Sequence, residues 1–371
     1  MKILYVTTIS LTINSFFKPH IEMLVREGHQ VDIACNCREM EPDELYSELG
    51  CNVHQIDFSR SPLSVSNVKA YGQLKKAIAN GGYDVVHCHT PNAAVITRLV
   101  CRGFRKKTNL KVFYTAHGFH FYKGSPKINW MVYYPIEKFC SRFTDKLITI
   151  NQEDYALAKA KFKAGAVYYV PGVGIDLSKF EGITVDKSAK RSEIGVPEDA
   201  TLLFSVGELN ENKNHQLVIR AMARLNMPKL HYAIAGVGDQ RDALLALAKE
   251  LGVDQQVHFL GYRRDIAELN HIADIFCFPS YREGLGLAAI EAMACGLPLV
   301  TSNVHGINDY SVDGETGYKF SPTNVEACSN AIARLISNYQ DRKHMGCNNI
   351  LIAKKYDIYN IKSQIKDVYE V

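Results

Sequence analysis

Two glutamates eight residues apart, Glu283 and Glu291, bracket a glycine-rich turn, Gly284-Leu285-Gly286. The apolar run Ile275–Pro279 before them reads as a strand, and Leu287 to Cys295 after them reads as a helix. A turn of this kind brings backbone N–H groups close to an anion at a helix N-terminus, where the dipole favours negative charge. Open α/β sheets bind ligands at the carboxyl ends of their strands, where this turn falls. Glu291 is flanked by Ile290, Ala292 and Met293, so its carboxylate is expected to be partly buried. Hydroxyl donors such as a ribose diol would suit it there. The plainer reading is a first-turn Glu and a salt-bridged helix Glu. The intervening glycines and the following Gly296-Leu297-Pro298 favour a site.

A second candidate is His117, which follows the strand pattern Lys111–Thr115 and precedes Gly118. It either caps a turn or faces a ligand, and the strand end with its glycine favours the ligand. His87 and His89 alternate near another strand end, and with His117 and His120 they invite a zinc reading. No Cys or acidic ligand stands at zinc-finger or zincin spacing, so no metal site is expected and His89 reads as a site wall or a satisfied polar residue.

These residues need a scaffold. Short, mostly apolar strands recur between helical stretches: Lys2–Thr7, Val31–Cys35, Val53–Ile56, Asp84–Cys88, Lys111–Thr115, Lys146–Ile150 and Val167–Val170. That alternation predicts parallel βαβ units in a doubly wound α/β fold. Pro171 to Arg191 is richer in Gly and polar residues and reads as a linker. The pattern then restarts with Thr201–Val206, a helix from about Lys213 to Leu225, and strands at Leu230–Ala235, Gln256–Leu260, Ile275–Pro279 and Leu299–Ser302. Val325 to Val371 reads as helical. The expected domains are 1–180 and 181–371, with the last helix returning to the first.

At 371 residues, 47% hydrophobic and 22% charged, the composition is that of an ordinary globular protein and excludes disorder and fibrous repeats. No signal peptide or membrane-spanning segment is expected. The ten cysteines contain no Cys-x-x-Cys pair and are expected to be reduced thiols in a cytoplasmic protein. Residues 1–180 carry 23 Lys+Arg against 15 Asp+Glu, whereas the rest carries 20 against 24. The first half therefore suits an anionic partner.

The Glu-x₇-Glu pattern ending in Ala294-Cys-Gly-Leu-Pro-Leu-Val300 resembles the donor-site signature of family-4 retaining glycosyltransferases. Asp84-Val-Val-His-Cys-His89, Thr115-Ala-His-Gly118, Gly261-Tyr-Arg-Arg-Asp265, and Gly207 with Lys213-Asn-His215 agree with it, and the likeness covers essentially the whole chain. It implies the GT-B fold, two Rossmann-like domains facing a cleft, and transfer of a hexosyl or N-acetylhexosaminyl group from a nucleotide-diphosphate donor, expected to be UDP-linked. It is nearest to members that build bacterial capsular or exopolysaccharide units on a lipid carrier.

By this resemblance Glu291 contacts the ribose, Glu283 the donor sugar, and Lys213 and the amides around Gly284, Leu285, Gly286 and Leu287 the diphosphate. His117 lies near the donor sugar, and Gly207, Arg263 and Asn14 join the donor site. No cofactor or metal is required. Two departures stand out. Glu208 occupies a position where many members have Arg, and the loop Ser10-Leu-Thr-Ile-Asn-Ser15 lacks the paired glycines common after the first strand. Glu208 is expected either to point away or to pair with Lys213 or Arg263. Thr12, Asn14 or Ser15 would stand in for the glycines.

From Phe119 to Phe143, aromatic residues including Trp130 interleave with Lys123, Lys127, Lys138 and Arg142. That pattern suits peripheral contact with the inner face of a cell membrane, and equally an ordinary helix with a core stripe. Nucleic acid fits poorly, because the second half is acidic. Competing functions are a transferase with a soluble acceptor, a nucleotide-sugar epimerase of the same fold, and a non-catalytic nucleotide-sugar-binding subunit.

Overall fold

The computed structural model describes residues 1–369. The chain forms two compact units, one of residues 1–174 plus the C-terminal segment from Ile358, the other of Ile175–Asp357. The crossing lies at Gly174/Ile175, earlier than the 180/181 boundary read from composition. The reason is packing: Ile175 N donates to Tyr356 O (2.9 Å), and the carbonyl of Phe180 is bonded to His271 Nε2 (3.0 Å), both inside the second unit. The stretch read as a linker also holds the start of the helix Lys187–Glu193.

The first unit is built on strands β1 (Lys2–Ile9), β2 (Gln30–Asn36), β3 (Val53–Gln55), β4 (Val85–His89), β5 (Lys111–Ala116), β6 (Lys146–Thr149) and β7 (Ala166–Tyr169). All pair in parallel, in the order β3-β2-β1-β4-β5-β6-β7. The second unit has β8 (Thr201–Val206), β9 (Leu230–Ala235), β10 (Val257–Gly261), β11 (Ile275–Phe278), β12 (Leu299–Ser302) and β13 (Gly317–Phe320), again parallel, in the order β10-β9-β8-β11-β12-β13. Parallel neighbours require crossover connections, and the helices between strands supply them. Central strands are buried on both faces, as their near-continuous apolar runs require: every residue of β4, β9 and β11 is buried.

Strand order reverses direction between β1 and β4 in one sheet and between β8 and β11 in the other. At such a switch point the loops diverge to opposite faces and leave a crevice at the strand carboxyl ends. All the strongest candidate residues lie on the loops or helix starts after these strands or, for His117, after the neighbouring β5.

Three expectations are corrected. Ser10–Ser15 is not a loop: β1 runs directly into the helix Ser10–Phe16, and a second helix follows at Lys18–Arg26. The C-terminal stretch is three helices, Val325–Ser337, Tyr339–Ala353 and Ile358–Tyr369, broken at Asn338 and again at 354–357; Glu370 and Val371 lie outside the described residues. Helix Ile358–Tyr369 packs on the first unit, where the Tyr369 hydroxyl meets His87 Nδ1 (2.6 Å) and Lys146 Nζ donates to the Val368 carbonyl (2.5 Å). Strand β13 is absent from the sequence reading: it opens on Gly317 directly after the turn 313–316, and Lys319 interrupts its short apolar run. Among the described residues, no helix is long and apolar enough to cross a membrane.

Candidate active site

In the second unit the loops after β8 and β11 are laced together. Asn212 Nδ2 donates to the Arg282 carbonyl (3.0 Å), and Tyr281 N donates to the Asn212 carbonyl (2.8 Å). Asn214 takes the left-handed conformation, φ +54°, which Asn tolerates better than most residues. Its buried side chain donates to the carbonyls of Pro279 and Pro322. Asn210 caps the 3₁₀ turn Glu211–Lys213 by accepting from Lys213 N (3.0 Å). This scaffold throws Lys213 across Gly207, whose missing Cβ would sit 3.2 Å from the lysine stem. Lys213 Nζ reaches Glu283 Oε1 at 2.6 Å and stands 5.0 Å from the centre of the Phe278 ring. The helix expected from Lys213 starts two residues later, at His215, so the lysine belongs to the loop.

The turn after Glu283 is held by close backbone approach. A Cβ on Gly306 would lie 1.9 Å from the Gly284 carbonyl oxygen, so only glycine lets these segments touch. Gly286 has φ +92°, and a Cβ there would lie 2.5 Å from the Phe278 ring. The buried Tyr310 hydroxyl sits beneath the turn with no hydrogen-bond partner among the described residues. Helix Leu287–Ala294 then begins with neither a side-chain cap nor an acidic residue in its first turn. Uncapped N-terminal amides at a strand carboxyl end are suited to an anion. Glu291 is half-buried in this helix, and desolvation raises its carboxyl above the usual range.

That shift yields a signed expectation. A carboxyl whose folded pKa is raised binds protons more tightly when folded, so stability falls as pH rises above the unfolded value near 4.5. Glu291→Gln removes the charge that burial penalises. At pH 7 its melting temperature should equal or exceed that of wild type. If Glu291 binds ribose hydroxyls, nucleotide affinity should fall about tenfold or more, since hydrogen bonds to a charged group are worth about 1.5–3 kcal/mol. Calorimetry and nucleotide titration on one preparation separate the two effects; a lower melting temperature with unchanged affinity would make Glu291 structural.

Two further donor-site candidates have local partners of their own. The Arg263 guanidinium is held by Asp265 (2.8 Å to Oδ1) and Glu193 (2.5 Å), in a network that Lys190 completes. Two carboxylates already engage it, so it positions the segment after β10 and is not an open cation. Asn14 lies within the first helix, where its side chain donates to the Glu41 carbonyl and accepts from Asp43 N, pinning the 41–43 loop. Glu208 is exposed and accepts from Asn210 Nδ2 (3.0 Å). It does not pair with Lys213 or Arg263, whose acidic partners lie elsewhere.

The first unit presents a separate cluster. His117 Nε2 and His89 Nδ1 are 3.2 Å apart, and His89 is stacked on Tyr5 (4.7 Å) and close to Phe17 (4.3 Å) and His87 (4.2 Å). His20 Nε2 meets the Val173 carbonyl at 2.6 Å. Burial, reinforced by neighbouring imidazoles or Lys362, lowers His20 and His117 to about 4 and His87 to about 3. These rings are neutral at pH 7, so His117 can act through a hydrogen bond and not as a cation. Among the described residues no group of three or more His, Cys, Asp and Glu is arranged to hold a metal. At the tip of β4, Thr90 has φ +62°, an outlier for a β-branched residue. Its hydroxyl accepts from Thr8 N (3.0 Å) and bonds the Thr8 hydroxyl (2.7 Å), tying β1 to β4 at the switch point. Neither threonine sits in a marked motif, so the bridge has no signature in the sequence. Asn212 and Tyr310 belong to no marked motif either, and Asn214 enters the sequence reading only as the middle residue of Lys213-Asn-His215.

Two family models match the chain: Glycosyl transferase 4-like over residues 2–151, and Glycosyl transferases group 1 over residues 186–351. EpsD of Bacillus subtilis (strain 168), a glycosyltransferase by name, is 35% identical, with 99% of this chain and 96% of that protein covered. The UDP-Gal:alpha-D-GlcNAc-diphosphoundecaprenol alpha-1,3-galactosyltransferase of Escherichia coli is 25% identical, over 94% of this chain and 90% of its own. Among solved structures, Anabaena HepE in complex with UDP and glucose superposes with a TM-score of 0.79 at 21% identity, covering 100% of this chain and 99% of that one. The protein belongs to this glycosyltransferase family and has its GT-B fold. It is a sugar-transferring enzyme.

Proposed function

We propose that the enzyme moves a hexosyl or N-acetylhexosaminyl group, with retention of configuration, from a UDP-sugar to a lipid-linked saccharide in polysaccharide biosynthesis. The observation that carries the donor reading is the Lys213–Glu283 contact, a cation and a carboxylate brought to 2.6 Å beside the uncapped start of helix Leu287–Ala294. A departing nucleoside diphosphate concentrates negative charge as the glycosidic bond breaks. Lys213 and the amides of Gly284 to Leu287 would offset that charge in the transition state. Glu283 would accept from sugar hydroxyls, Glu291 from the ribose, and neutral His117 would hydrogen-bond the donor sugar. The acceptor and the retained configuration are supported by the E. coli relative, whose name gives a UDP-linked donor, a diphosphoundecaprenol acceptor and an alpha product.

The test is transfer from a panel of UDP-hexoses and UDP-N-acetylhexosamines to polyprenyl-diphosphate saccharides, with the product anomer read by NMR. An alpha product is expected. Transfer should persist in EDTA, because the leaving-group charge is met by Lys213 and backbone amides. Loss of activity with the chelator and return with Mg²⁺ or Mn²⁺ would contradict this.

A lipid-linked acceptor also requires a membrane approach. Helix Lys127–Cys140 exposes Ile128, Met131, Val132, Ile136 and Phe139 alongside Lys127 and Lys138. Its one acid, Glu137, is turned inward onto Arg98. Co-sedimentation with vesicles containing anionic lipid is expected, weakening as salt shortens the Debye length to about 3 Å at 1 M. Absent or salt-indifferent binding would count against it.

A further inference from the structure

Beside His117, at the carboxyl ends of β4 and β5, a groove of about 510 Å³ opens in the first unit. It runs from Gly118 past Phe119 and Phe121 to Val95 and Ile96, with Val132 and Leu63 at its rim. Pockets of about 300–1,000 Å³ suit a small organic ligand. Its one acidic side chain, Glu137, is neutralised from beneath by both guanidinium nitrogens of Arg98 (2.8 and 3.1 Å). Asn67 and Asn92 also line it, but their amides donate to the carbonyls of Ser61 and Pro62 and of Ser59 and Arg60, and the His120 ring packs against Tyr133 (4.7 Å), so the surface left to a ligand is mainly apolar. Leu63 is 93% exposed and Met131 72%, so the groove continues onto the apolar surface of helix Lys127–Cys140. Arg60 is exposed and its carbonyl accepts from the lining residue Asn92 (2.6 Å), and Lys127 is exposed in the first turn of the helix that carries Val132.

We infer that this groove takes the first isoprenoid units of the acceptor's lipid chain, with its diphosphate toward Arg60 and Lys127. The inference rests on the lipid-linked acceptor proposed above and adds the place where the hydrocarbon binds. Apolar walls leading from the residue after His117 to an exposed apolar face, with cations at the rim, match an anionic head on a hydrocarbon tail. A saccharide alone would use only the polar end.

Trp130 is the one tryptophan of the chain, and its ring packs 5.5 Å from that of Phe121 in the groove wall. Its fluorescence is the natural readout. Geranylgeranyl diphosphate, titrated below its micelle concentration, should change the emission saturably, and inorganic diphosphate should not. Val95→Phe, which fills the groove, and Val132→Glu, which charges its rim, should each weaken that binding about tenfold or more, with melting temperature and UDP affinity unchanged. Equal binding of the two diphosphates, or wild-type affinity in both variants, would overturn the inference. So would a concentration-dependent dimer that Val95→Phe abolishes, since a second copy would then be the occupant. Saturable prenyl binding without transfer to any prenyl-linked saccharide would retire the acceptor reading and leave the groove assignment standing. Transfer to such acceptors at wild-type KM in both variants would do the reverse.

Discussion

Lys213→Ala should lower kcat by about 10²–10³, the usual cost of losing one preorganised electrostatic contact to developing charge. Part of the loss is structural: the Lys213 and Glu283 side chains are only 21% and 13% exposed, so removing the lysine leaves a mostly buried carboxylate without its partner and lowers the melting temperature. The rate is therefore compared well below that temperature, where the variant is folded, and Lys213→Arg should recover part of it. Glu208→Gln serves as a control: Glu208 is exposed and bonded only locally, to Asn210, so its neutralisation should change turnover little. Because Lys213→Ala also strips Glu283 of its partner, Glu283→Gln and the double variant should be measured together. Less-than-additive losses are expected if the pair acts as one unit. Normal turnover by Lys213→Ala would remove the lysine from the leaving-group role.

Gly306→Ala should be among the most damaging single methyl groups in the second unit. Its Cβ would lie 1.9 Å from the Gly284 oxygen, 2.6 Å from the Gly284 carbonyl carbon and 3.0 Å from Leu285 N. These are backbone atoms, so no rotamer change relieves the clash and the Glu283–Gly286 turn must move. Overpacking costs about 1–3 kcal/mol, and a unit of this size loses about 2–4 °C per kcal/mol. Because the displaced turn carries the amides proposed to face the donor, UDP affinity should fall at least tenfold as well. Gly103→Ala is the matched control: nothing lies within 4 Å of its added methyl, and it sits in helix Pro91–Phe104, where Ala is preferred. A Gly306→Ala protein with wild-type melting temperature and UDP affinity would mean that the turn is not held by this contact.

The parts of this site that were legible in the sequence share one property: their signal is local. The Glu283–Glu291 spacing, the glycines between them and the apolar strand before them all lie within one short segment. Strand alternation likewise gave the parallel doubly wound units. What was not legible depends on residues far apart in sequence. Arg263 looks like a spare cation in its own segment, and only the fold brings Glu193 to it. Glu208 looks like a disruption beside a diphosphate, but its side chain is exposed and turned to Asn210. Asn14 reads as a loop residue only by resemblance to the family's loop after the first strand; the chain in fact passes from β1 straight into a helix, and the Asn side chain serves a neighbouring loop. The Thr8–Thr90 bridge across the switch point joins residues on two strands and has no local signature.

The central claim is that the diphosphate of the donor is held by the loop bearing Lys213 and the turn from Glu283 into helix Leu287–Ala294. Hydrogen exchange read by mass spectrometry, with and without saturating UDP, tests it directly, because bound phosphate should slow exchange of the amides that contact it. Protection is predicted in peptides covering 207–214 and 283–291, and it should diminish at equal UDP concentration in Lys213→Ala and Glu291→Gln. Protection confined to other segments, or identical protection in both variants, would contradict the account.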